Sequence, residues 1–201
     1  MNTTGSWLAY DAEQLARIGA PDSAVAALTG RGLPGGAHDL FVRVPARELE
    51  VAELPECGRA AFLAQAGDGY WNTYWLSLRD GCVVMRYGKQ DEPVDHVKLI
   101  NTSVAALQAV LEAWCDYKDS GLTPADGQAY EHLVVTTIIR AVSADPEAFH
   151  DEQAWWPTTF EEVEYTLPGI LSGDRALYQL VRQDETGAWV LDHPGYEDED
   201  D

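Results

Sequence analysis

Between Tyr70 and Arg79 the chain alternates: even positions read Tyr, Asn, Tyr, Leu, Leu, and odd positions read Trp, Thr, Trp, Ser, Arg. A period of two is that of a strand with one face buried, so Tyr74, Leu76 and Leu78 are expected on the core face and Trp71 and Trp75 on the other. The following "RDGC" contains the Asp-Gly pair favoured in two-residue hairpin turns. Such a turn would set Leu78 opposite Val83, Leu76 opposite Met85 and Trp75 opposite Arg86, the last pair with room for a cation–π contact. "DLFVRV" alternates likewise, with Leu40, Val42 and Val44 against Phe41 and Arg43, and "HVKLI" predicts another short strand. Residues 45–58, rich in Pro and Glu, predict an irregular connection.

Helical spacing governs other segments. Asp11 and Asp22 stand where N-caps would, before "AEQLARI" and "SAVAAL", which predicts two short helices ended by the break "GRGLPGG". In "NTSVAALQAVLEAWCDYKD" either Asn101 or Ser103 can cap a helix whose Val104, Leu107, Leu111 and Trp114 share a face. The β-branched "VVTTII" would suit a strand, but Tyr130, Val134, Ile138 and Ala141 keep a step of three to four, which favours a helix. Asp145 with Pro146 predicts a capped turn, and Thr159 with Glu162 a capping box for a helix bearing Phe160, Val163 and Leu167. "ALYQLVRQDETGAWVLDHPG" predicts a hairpin, and "YEDEDD" a disordered acidic tail. The expected organisation is one α+β domain over residues 1–193, followed by the tail at 194–201.

Charge narrows the function classes. The chain has 201 residues, 34 acids and 13 Lys or Arg, for a net charge of −21. Residues 121–201 alone carry 18 acids against three arginines. Such a field repels nucleic acid and anionic membranes and speeds encounter with a basic protein. Cys57, Cys82 and Cys115 form no C-x-x-C pair and no disulfide framework, and the start of the chain has no signal-peptide pattern. A cytoplasmic protein is expected.

Chemistry-bearing patterns are sparse. The five histidines lack H-E-x-x-H spacing, and "GLPGG" and "GDG" lack the Lys and Ser or Thr of a phosphate loop. Neither a cofactor nor a metal is expected. A glycosidase-like pair of acids leaves no spacing to recognise, so an enzyme acting on glycans, with Trp71 and Trp75 as its stacking platform, stays open as a lesser alternative. Trp71 and Trp75, ~13 Å apart by strand rise, are either covered by a second layer or exposed as a contact surface.

Several segments resemble, in order and spacing, the SUKH immunity-protein superfamily, most closely its fourth clade. They are "AALTGRGLPGGAHDLFVRV", "GDGYWNTYWLSLRDGCVVMRYG", "LINTSVAALQAVLEAW", "ADPEAF" and "WWPTTFEEVEYTL", within residues 20–171. The chain departs from the clade in "EYTLPGIL", where "DGL" is usual, and in the added 174–193 hairpin and tail. The resemblance implies an α+β fold, an antiparallel sheet with helices on one side, and no catalysis. It also implies a cytoplasmic antidote that binds and blocks a protein toxin, often a nuclease or nucleic-acid deaminase. An acidic surface suits such a basic toxin, and Trp71, Trp75, Asp91, Glu92 and Asp95 are the candidate contacts. The alternative within the superfamily is an intracellular scaffold or regulatory interaction module.

Overall fold

Asp11 caps the first helix as its position predicts, its carboxylate accepting the Gln14 N–H at 2.8 Å. The computed structural model describes residues 5–67, 72–88, 96–164, 167 and 176–192. A two-residue strand β1 (Trp7–Leu8) precedes α1 (Ala12–Ile18) and α2 (Asp22–Gly30). Asp22 is not the cap of α2: Pro21 holds that position and Asp22 lies in the first turn, where its charge still complements the helix dipole. In "GRGLPGG" Gly32 has φ 74°, and a Cβ there would lie 2.0 Å from the Leu8 carbonyl oxygen. Only glycine permits this close approach, which lets β2 (Leu33–Pro34) pair with β1.

The main sheet is formed by β3 (Gly36–Ala37), β4 (Phe41–Val42), β5 (Val51–Leu54), β6 (Gly58–Gln65), β7 (Thr73–Ser77), β8 (Val83–Tyr87) and β9 (His96–Asn101). Every pairing is antiparallel, in the order β3-β4-β6-β7-β8-β9, and β5 pairs with the first half of β6. Two departures from the expected elements matter. The segment 45–58 is not wholly irregular, since it contains β5, and the eight-residue β6 occupies a stretch to which alternation assigns no element. Its run "AAFLA" is buried on both faces, so no polar positions mark the period.

The β7–β8 hairpin has the expected faces in a different register. Leu76 is opposite Val83, Tyr74 opposite Met85, and Trp75 opposite Val84, two residues from the two-residue-turn pairing. The loop is longer because Leu78 leaves the pairing and donates its N–H to Arg59 on β6 at 3.0 Å. Asp80 meanwhile accepts from the Cys82 N–H within its own turn. A shift of two preserves parity, so Tyr74 and Leu76 stay on the core face. Arg86 now faces Thr73, and Trp75 meets no cation; its neighbour is Phe62, edge-on at 5.4 Å, with the Arg47 guanidinium 4.2 Å over the Phe62 ring.

One face of the sheet meets the helices α3 (Val104–Asp119), α4 (Gln128–Ala144) and α5 (Trp155–Glu164). Ser103 caps α3 through the Ala106 N–H. Tyr74, Leu76 and Met85 join Leu107, Leu111, Val134, Ile138 and Phe160 in one core. The opposite face has a smaller core of Leu54, Ala60, Phe62, Trp75 and Val84, with Val44 and Val97 at its margin. Two bulges keep the faces sorted. In β6 the register shifts between Phe62 and Ala64, which sends both Leu63 and Ala64 to the helical side. In β9 the shift at Val83/Val84 sends both Ile100 and Asn101 inward.

Asn101 is the start of a buried polar chain. Its amide donates to Asp145 at 2.9 Å, and Asp145 also accepts from the Thr102 N–H at 2.7 Å and hydroxyl at 3.0 Å. Trp156 donates to the Ile100 carbonyl and to Asn101 Oδ1. Asp145 therefore does not cap the short 3-10 turn Pro146–Phe149 with its side chain, as its position predicts, but ties that turn to the end of β9. Thr159 is likewise no cap. It lies inside α5, donating to the Trp155 carbonyl at 2.7 Å, because the helix begins four residues earlier with Pro157 in its first turn, where no backbone donor is needed. Leu177, Tyr178 and Leu191, around the hairpin β10 (Val181–Gln183) and β11 (Trp189–Leu191), belong to the helical core. The acidic tail lies outside the described residues.

Trp75→Ala removes the largest side chain of the smaller core and is expected to lower unfolding free energy by about 3–5 kcal/mol in urea titration. Asp145→Ala leaves the Asn101 amide and the Thr102 N–H without their acceptor. A loss of about 2–4 kcal/mol is expected, read the same way.

Candidate partner-binding surface

Of the five expected contact residues, the structure describes Trp75 alone. It is 2% exposed, held between Phe62 and Val84, and presents no surface to a partner. The expectation that Trp75 is a contact is therefore corrected. On its face of the sheet Trp75 packs among Leu54, Cys57, Phe62 and Val84, with Val44 and Ala52 at the margin and Arg47 over the Phe62 ring, neighbours that alternation within 70–79 could not reveal. Trp71, Asp91, Glu92 and Asp95 lie outside the described residues.

The attachments of their two connections are described. Gln65 is opposite Thr73, Thr73 opposite Arg86, and Arg86 opposite Val97, so four strand ends lie side by side. The described strand ends that flank segments 68–71 and 89–95 therefore lie at one end of the sheet. Cross-strand partners share a face, which aligns Phe62, Trp75, Val84 and Leu99 in one apolar row. Burial is complete at Phe62 and falls along the row until Leu99 is 38% exposed. β9 is the last strand of the sheet, and among the described residues no strand pairs with its far side. Alternation in "HVKLI" could have set Val97 and Leu99 on one face, but nothing local says that this strand is an edge.

Most of the described positive side chains pair with the chain's own acids or cover its rings, many of them at the surface. Arg31 makes two 2.8 Å bonds to Glu112 and lies 3.8 Å over Trp7. Arg43 bonds Glu48 and the Leu8 carbonyl and covers Tyr10, while Arg47 reaches Glu50 and covers Phe62. Lys98, Arg140 and Arg182 pair with Asp151, Asp116 and Asp192. Exposed pairs of this kind add little stability. Their consequence is electrostatic: cations are neutralised locally, and the surplus of acids faces solvent. Asp151 is held below the usual carboxylate range by the Gln153 N–H and by Lys98, so it stays ionised beside β9.

The titratable groups near the hairpin turn point away from nucleophilic chemistry. Burial, reinforced by a hydrogen bond with Asp80, pushes the Cys82 thiol up to about 12. An activated cysteine needs the opposite shift. Cys57 and Cys115 are buried. No group of three or more His, Cys, Asp or Glu that could hold a metal ion occurs among the described residues, and no helix among them is long and apolar enough to cross a membrane.

The fold is thus an antiparallel sheet with helices on one face, a second small core on the other and an open edge at β9. A sequence model of the family described as SUKH-4 immunity protein matches residues 2–162, from before β1 to near the end of α5, and the chain belongs to that family. Membership implies toxin immunity, a non-enzymatic role, with a cognate toxin as partner. The C-terminal hairpin lies beyond the match. No curated protein and no solved structure matches the chain.

The Cys82 environment is tested with a thiol-specific alkylating reagent at pH 8. Raising a thiol from about 9 to about 12 cuts its thiolate fraction ~1000-fold. Native protein is expected to react at Cys82 at least ~100-fold more slowly than urea-unfolded protein, read by mass spectrometry.

Proposed function

We propose that this protein neutralises a cognate bacterial toxin by binding it and occluding its active cleft, and that the toxin is a basic nuclease or nucleic-acid deaminase. The observation that carries this reading is the family match over residues 2–162 on a chain of net charge −21. A toxin acting on nucleic acid must present a positive cleft to its polyanionic substrate. An acidic protein, most of whose described cations pair with its own acids, is drawn to that cleft and competes with the substrate for it. The two connections flanked by strand ends at one end of the sheet, carrying Trp71 and the acids Asp91, Glu92 and Asp95, are the proposed contacts, with the aromatic ring slowing dissociation and the carboxylates speeding association. The protein acts in the cytoplasm, away from membrane and nucleic acid.

The test is to mix the purified protein with the C-terminal domain of the toxin encoded beside it. A stable complex is expected, with toxin activity abolished and an association rate falling about tenfold or more between 50 and 300 mM salt. Trp71→Ala is expected to raise the dissociation rate, and joint Asp91→Asn, Glu92→Gln and Asp95→Asn to lower the association rate. Undiminished toxin activity at excess protein would reject the reading; a complex indifferent to all four substitutions would reject the site.

A further inference from the structure

At the free side of β9 an apolar row of the sheet reaches solvent, as the row ending at Val51 does at β5. Leu99 ends the Phe62, Trp75, Val84 row at 38% exposure, Val97 is part-buried on the same face, and no described strand covers the edge. On the other, helical face the turn Pro146–Phe149 packs against β9; Glu147 there pairs with His150, and Glu152 accepts from the Gln179 amide. Lys98, on the helical side of β9, already has its ammonium on Asp151 and the Gln153 carbonyl.

We infer that Val97 and Leu99 form the apolar anchor of the toxin interface. This deepens the toxin-neutralising reading and rests on it. Charge selects the occupant. A second copy would bring another −21 to a chain already at −21, whereas a basic surface with an apolar residue at its centre meets the attraction of that net charge and a dry contact at Leu99. A dry apolar contact at the centre of an interface is also where a single side chain dominates dissociation.

The experiment compares wild type, Leu99→Asp, Leu99→Ala and Leu122→Asp for binding the neighbouring toxin domain by surface plasmon resonance, with melting curves to confirm folding. Leu122 is equally exposed, at 37%, but lies between α3 and α4. The expected result is affinity about 100-fold weaker for Leu99→Asp, about tenfold weaker for Leu99→Ala, both mainly through dissociation, and within about threefold of wild type for Leu122→Asp. Attraction by charge alone would instead make Leu99→Asp bind as well as or better than wild type, and that result overturns the anchor. Equal binding by Leu99→Ala overturns it too, even where Leu99→Asp fails to fold. If wild type itself does not bind, the toxin-neutralising reading fails and the anchor with it. A homodimer of the free protein that Leu99→Asp dissolves would give the strip to a second copy.

Discussion

The central strands are buried on both faces, and the rest of the molecule is arranged to cover them. All five residues of β7 are buried, with Tyr74 and Leu76 turned to the helices and Trp75 to the smaller core. Helices α3, α4 and α5 supply one cover. On the other face Leu54, Cys57 and Val44 pack around Phe62 and Trp75, and the Arg47 guanidinium lies over the Phe62 ring. The second cover is short, so the protection fades across the sheet and ends at β9. Exposure of Leu99 follows from that geometry, since a row buried at one end and uncovered at the other must present its last member to solvent.

The junction between sheet and helices is polar. A bulge turns Asn101 inward, where it meets Asp145, and Trp156 closes the chain from α5. Buried polar groups that are fully paired tend to define one arrangement rather than several. Here they hold the edge of the sheet, the Pro146–Phe149 turn and α5 together, so the edge strand bearing Val97 and Leu99 is fixed from its helical side while its outer side stays open. The electrostatics follow a similar division of labour. Arginines and lysines serve intramolecular ion pairs and aromatic faces, leaving an acidic exterior that would steer a basic partner from a distance.

Much of this was legible along the chain. Asp11 and Ser103 cap where their positions predict, the stripe Tyr130, Val134, Ile138 and Ala141 is buried, and strand parity places Tyr74 and Leu76 correctly. Family likeness, read from the order of several weak motifs, agrees with the family match. The misses share a cause. β6 has no polar face to mark its period; the β7–β8 register depends on a bond from Leu78 to a strand not recognised; Thr159 looks like a cap only if Pro157 is taken as lying outside the helix.

Local chemistry was enough to set the caps at Asp11 and Ser103, the strand faces, the charge and the α+β class, because each depends on residues a few positions apart. Whether Trp75 is a contact or a core residue, and whether Leu99 sits mid-sheet or at an edge, depends on which strands lie next to which. Burial on the second face of a sheet is contributed by segments distant in the chain, and no periodicity within a strand records their presence.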